Sequence, residues 1–219
     1  MSTTVAIRMC GYQGHVTNSR QLIMTKAELR NIYLKRRAEL SLAEVAAASK
    51  RIAECFFDEV DLAEVKSVHT FIRIAKFNEI DTSNIYYRIW HERRDITTYA
   101  PKSDLVTGEM ESIRFDEDTV WTENRWGIRE PAIGETIEPA ELDLVIVPML
   151  CFDLLGNRVG YGKGFYDKFL AKCRQDCLKV GLSLFPPVEK IDDADTNDVE
   201  LNVVITPHEV FRWPSSYIF

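Results

Sequence analysis

Between Gly156 and Leu170 the chain reads GNRVGYGKGFYDKFL. Gly160, Gly162 and Gly164 stand at alternate positions, Arg158 precedes them, Lys163 lies among them, and Asp167 follows. Glycines so spaced let successive backbone N–H groups point to one side and form a concave anion donor. A helix starting next to them aims its positive end at the same point. Arg158 and Lys163 add mobile cations, so the chemistry implied is phosphate binding. Common phosphate loops do not fit. The nucleoside-triphosphate loop needs G-x-x-x-x-G-K-[ST], but Asn157 stands at the first glycine and Gly164 follows the lysine. The dinucleotide fingerprint needs GxGxxG and an acid on the next strand, whereas this stretch is GxGxG and CLKVGLSLF carries no acid. The set of motifs that accompanies a kinase loop is absent. Asp167 sits where a first-turn acid is ordinary helix stabilisation. Beside bound phosphates it would be repelled unless a cation lay between them, and Mg2+ commonly takes one or two carboxylates together with phosphate oxygens.

A second patch of charge comes early. Lys26, Arg30, Tyr33 and Arg37 share one face of a helix. Leu29, Ile32 and Leu40 beside them are the expected buried stripe. In FNEIDT, residues 77–82, Asp81 is placed to cap a helix and Glu79 is free to bind a ligand.

These groups need elements to hold them. Thr25 with Glu28, and Ser41 with Glu44, are capping boxes that predict helices over 26–40 and 42–57. SVHTFIRIA reads as a strand, DTSNIYYRIWHERR as a helix and DITTYA as a short strand. Residues 101–135 hold turn residues and two tryptophans, with room for a hairpin. LDLVIVPML, residues 142–150, is continuously apolar and predicts a strand buried on both faces. A helix over 165–175 follows the glycines, and CLKVGLSLF and LNVVIT predict further buried strands. The expected class is α/β, with a single doubly wound, mostly parallel sheet and helices on both faces. Ligands then gather at the carboxyl ends of the strands.

Composition sets bounds. With 219 residues, 46% of them hydrophobic, the chain suits one domain over 25–219. Residues 1–24 lack the apolar core of a signal peptide and are expected to be a poorly ordered extension. A net charge of −7 without a basic tail argues against nucleic acid as a partner. Anions then bind only at a local site built for them. Five cysteines without CxxC read as reduced thiols of a cytoplasmic protein. The four histidines have no zinc-like spacing, and no apolar run is long enough to cross a membrane.

Together the residues resemble the 5-formyltetrahydrofolate cyclo-ligase family, also called 5,10-methenyltetrahydrofolate synthetases. The resemblance is carried by Lys26-x3-Arg30, Arg37 with the following Leu-Ser, NEIDT, WGIREP, DLVIVPML running into the glycine stretch, and NDVELNVVIT. It implies a ligase that uses ATP and Mg2+ to convert 5-formyltetrahydrofolate, with or without a polyglutamate tail, to 5,10-methenyltetrahydrofolate, ADP and phosphate. It further implies that Lys26 and Arg30 hold the ATP phosphates and, with Lys163, form the catalytic cations. The loop that wraps the phosphates would be Arg158, Val159, Gly160, Tyr161, Gly162, Lys163, Gly164, Phe165 and Tyr166. Asp167 and Asp198 match the magnesium acids and Glu79 the pterin-binding acid. Trp126 and Tyr166 match aromatic positions near the substrate. A monomer or weak dimer is expected. Several positions depart from the usual pattern: Lys163 stands where many members have glycine, Phe165 where tyrosine is commoner, Phe185 and Pro186 where glutamine is often found, and Asn197 where histidine often precedes the acid. Two other functions compete with this one. A non-catalytic nucleotide or folate binder predicts loss of an early cation or a magnesium acid, and Lys26, Arg30, Asp167 and Asp198 are all present. A sugar-phosphate isomerase on a similar sheet needs neither ATP nor the early cations.

Overall fold

Leu144, Val145, Ile146 and Val147 have no exposed surface. A run so apolar can be buried on both faces only in the middle of a sheet, and it is the central strand of nine. The computed structural model describes residues 5–9, 23–195 and 198–213. In chain order the sheet contains β1 (Ala6–Met9), β2 (Ser67–Thr70), β3 (Thr97–Ser103), β4 (Met110–Phe115), β5 (Thr136–Ile137), β6 (Leu144–Pro148), β7 (Leu178–Leu182), β8 (Val203–Ile205) and β9 (Glu209–Arg212). Side by side the order is β1-β9-β8-β7-β6-β2-β3-β4-β5. The inner strands from β8 to β3 pair in parallel. The flanking strands pair antiparallel. The sheet is therefore mixed, which corrects the expectation of a mostly parallel one. The physical reason lies in the connections. β3 to β4 and β8 to β9 are joined too tightly for a crossover, and short links permit only antiparallel neighbours.

Four helices accompany the sheet among the described residues: α1 (Lys26–Ala38), α2 (Leu42–Glu59), α3 (Ser83–Glu92) and α4 (Phe165–Leu170). Both capping boxes form as the sequence predicts. Ile52 and Phe56 of α2 and Ile85 and Ile89 of α3 pack with Leu144, Ile146 and Val180. Val145 and Val147 point the other way and pack with Phe169 and Leu170 of α4 and with Phe211. α1 buries Leu29 and Tyr33 against Leu150, Val159 and Phe185. Its stripe differs from the expected one, because Ile32 is exposed and Arg37 is buried. α4 stops before residue 175, since Lys172 and Cys173 donate to carbonyls three residues back and Arg174 turns to Asp143 at 2.6 Å.

Part of the amino-terminal extension is ordered into structure: β1 lies along β9, and Ile23–Met24 pairs with Lys190–Ile191. The rest of it, residues 1–4 and 10–22, lies outside the described residues. The difficult region contains the β3–β4 hairpin and a second one, Trp121–Glu123 with Arg129–Pro131. Cys151, Cys173 and Cys177 carry free thiols. Among the described residues no helix is long and apolar enough to cross a membrane.

Phe56 has no exposed surface and joins α2 to the sheet. Phe56→Ala is expected to cost about 3–5 kcal/mol in urea unfolding. A cost below about 1 kcal/mol would show that this contact does not hold the layers together.

Candidate active site

A cleft of about 830 Å3 opens where the parallel strands end. Phe71 and Ile72 follow β2, Pro101 and Ser103 close β3, Pro148 closes β6, and all line it. The glycine loop forms one wall. Its entry is fixed by Asp153, a fully buried carboxylate that accepts N–H groups from Leu155 and Asn157 at 2.9 Å and from Ile191 at 3.0 Å. Arg158 comes next. Its guanidinium is buried, donates to the Val199 carbonyl and meets the Asp167 carboxylate at 2.5 Å. Burial works against its charge, and Asp167 and Asp198 oppose that effect. Arg158 is thus a buried strut that aims Asp167, not the mobile cation expected from the sequence. Val159 does not reach the cleft; it is fully buried beside Cys151.

Gly162 and Gly164 adopt φ of +79° and +72°, a region costly for any residue with a Cβ. At Gly162 space adds a second constraint, because a Cβ there would lie 2.8 Å from the Arg30 guanidinium carbon. Arg30 donates from Nε to the Gly160 carbonyl at 3.0 Å. Among the described residues, the backbone N–H groups of residues 160–167 have no acceptor within the chain. Lys26 Nζ, from the first turn of α1, reaches Asp198 at 2.7 Å, and its backbone N–H donates to Asp193 at 2.6 Å. The early cations and the glycine loop, far apart in sequence, therefore share one site. Lys163 is exposed at the rim. Lys76 and Arg125 also line the cleft, giving six cationic side chains against three carboxylates in a protein of net charge −7. Such a local reversal suits a polyanion.

Glu79 lies at the inner end. It was expected to be free, but it is buried and accepts the Tyr161 hydroxyl at 2.6 Å and the Ile74 N–H at 2.7 Å. Arg37 Nη2 stands 4.0 Å away. Burial pushes the Glu79 carboxyl up, while Tyr161 and Arg37 pull it back. Trp126 meets Phe165 edge-on at 6.4 Å, and its carbonyl accepts Lys76 Nζ at 2.7 Å. The hairpin that carries it is held by buried Glu130, which accepts the Ser103 N–H at 2.9 Å. Tyr166 lines the cleft, and burial raises its phenol.

Asp167 and Asp198 both face this space. Among the described residues, no group of three or more His, Cys, Asp or Glu is arranged to hold a metal unaided. Two hard carboxylate donors beside a polyanion site fit Mg2+, which completes its shell with phosphate oxygens and water.

A family model described as the 5-formyltetrahydrofolate cyclo-ligase family matches residues 23–207. The chain belongs to the 5-formyltetrahydrofolate cyclo-ligase family. The cyclo-ligases are ligase enzymes, and every motif of the resemblance lies inside the matched span. A 5-formyltetrahydrofolate cyclo-ligase of Haemophilus influenzae is 28% identical over 171 residues, covering 76% of this chain and 86% of its own. That of Escherichia coli K12 is 28% identical over 155 residues, covering 68% and 84%. The NMR structure of Aquifex aeolicus 5,10-methenyltetrahydrofolate synthetase matches with a TM-score of 0.74 at 27% identity, covering 89% of this chain and 95% of that one.

The sequence did not single out His69. It is fully buried in β2, lies 2.8 Å from Ser112 through Nδ1 and touches the Tyr166 hydroxyl at 3.4 Å through Nε2. Burial lowers it from 6.5 to about 3. Its folded pKa is below its unfolded one, so the stabilisation is full above about pH 6.5 and is lost as pH falls toward 3. Wild type should lose up to about 1.4 kcal/mol per pH unit below pH 6 in excess of His69→Gln. Urea unfolding at several pH values measures this, and parallel curves would refute it.

Proposed function

We propose that the chain converts 5-formyltetrahydrofolate to 5,10-methenyltetrahydrofolate, using ATP with Mg2+ and releasing ADP and phosphate. The supporting observation is the meeting, in one cleft, of the α1 cations, the loop amides that have no acceptor among the described residues, the paired acids and Glu79. A formamide carbon is a poor electrophile because nitrogen feeds density into the carbonyl. Transfer of the γ-phosphoryl to the formyl oxygen turns that oxygen into a leaving group. N10 then attacks the carbon and phosphate departs.

In this reading the protein's task is to position the reactants and to neutralise charge. Lys26, Arg30 and Lys163, with the loop amides, would take the phosphate oxygens. Asp167 and Asp198 would hold Mg2+, which supplies further positive charge at those oxygens when bound. Arg158 keeps Asp167 aimed at the cleft. Both Glu79 oxygens keep a lone pair beyond the bonds already made, so the carboxylate could accept N–H groups of a pterin. Trp126 and Tyr166 would flank the ring. No protein nucleophile is required. Cys151, near the loop, is buried and its thiol is pushed up to about 12. The reading takes residues 25–219 as one catalytic domain acting in the cytoplasm, as a monomer or weak dimer, on folates with or without a polyglutamate tail.

The test mixes protein, 5-formyltetrahydrofolate and Mg2+ and follows methenyl-folate absorbance. Product is expected only when ATP is added. Lys26→Ala and Asp167→Asn should each lower kcat/KM by about 10²–10³-fold; asparagine keeps an acceptor for Arg158. Undiminished turnover by either variant would count against the roles given to these residues.

A further inference from the structure

Tyr161 belongs to two parts of the cleft at once. Its backbone is part of the glycine loop, between Gly160, whose carbonyl Arg30 holds, and Gly162, on which the Arg30 guanidinium rests. Its side chain leaves the loop for the opposite end. The hydroxyl donates to Glu79 at 2.6 Å and accepts from Arg37 Nη2. The ring packs on Phe77 at 5.7 Å and under the Arg37 guanidinium at 5.3 Å. Arg37 comes from α1, the helix that also carries Lys26 and Arg30, and its carbonyl holds Asn78, next to Glu79, at 3.0 Å. The network is buried yet incompletely satisfied, since Arg37 Nε has no partner among the described residues.

We infer that Tyr161 couples the two substrate sites, so that nucleotide seated in the glycine loop tightens the hold of Glu79 on folate. This rests on assigning the loop to nucleotide and Glu79 to the pterin. The physical cause lies in the state of the acid. Burial favours the protonated form of Glu79, and the Tyr161 hydroxyl and Arg37 favour the carboxylate. Only the carboxylate offers acceptors alone to pterin N–H groups. An anion bound by both Arg30 and the loop amides would hold Tyr161 in this position, and with it the acceptor strength of Glu79. Tyr161 is therefore a positioning residue that acts through Glu79.

The experiment titrates 5-formyltetrahydrofolate by calorimetry with and without a β,γ-imido analogue of ATP and Mg2+. In wild type the analogue should tighten folate binding about tenfold, and folate should tighten the analogue by the same factor, as linkage requires. In Tyr161→Phe the factor should fall below about twofold. The pH below which folate binding fails should also rise, because Glu79 loses a donor. Arg37→Gln leaves Tyr161 in place and should move both readings the same way; it carries the test alone if Tyr161→Phe does not fold. A full coupling factor in either folded variant, or none in wild type, overturns the inference. Wild type that binds neither ligand overturns the functional reading itself.

Discussion

The ion pair between Lys26 and Asp198 joins residues 172 apart in sequence at the edge of the cleft. It draws the start of α1 to the segment just before β8. Only 20% and 17% of the two side chains are exposed, so desolvation offsets much of the attraction and the pair is weak evidence for stability. The stability comes from the three apolar clusters, where each fully buried Phe, Leu or Ile contributes roughly 1.5–3 kcal/mol. What the pair supplies is placement. It puts an ammonium and a carboxylate at the mouth of a loop whose amides have no acceptor among the described residues, in a protein otherwise rich in acids.

The rest of the site follows from that placement. With α1 docked, the Arg30 guanidinium rests against Gly162, whose φ of +79° favours glycine. Arg37, about two turns further along the same face of the helix, reaches Tyr161 and stands beside Glu79. Arg158 and Asp167 repeat the device on the other side of the loop: a cation of the chain holds an acid that would otherwise be repelled by phosphate. On the proposed function, each acid is thus kept in position by a resident cation before nucleotide and metal compete for it.

Much of this could be read in the sequence where a residue's own chemistry decides its place. Both capping boxes form, because their bonds are local. The continuously apolar strand is central, because burial on both faces leaves it no other position. The cations and the glycine loop meet in one cleft. What escaped was set by tertiary partners. Arg37 lies on the side of the helix that buries Leu29 and Tyr33, but a charged residue reads as exposed unless partners such as Tyr161 and Glu79 receive it. Arg158 looked mobile because the acceptor that immobilises it, the Val199 carbonyl, is distant in sequence. The antiparallel flanks come from the short β3–β4 and β8–β9 connections and from β1, a four-residue strand laid along β9. His69 carries no motif; its meaning lies in Ser112 and Tyr166, which only the fold brings to it.

The most direct test is a crystal structure with the β,γ-imido ATP analogue and Mg2+. The account predicts one triphosphate lying between Lys26 and Arg30 on one side and the N–H groups of residues 160–167 on the other, with Lys26 Nζ turned from Asp198 toward phosphate oxygen. A nucleotide seated elsewhere, with the Lys26–Asp198 pair intact, would contradict it.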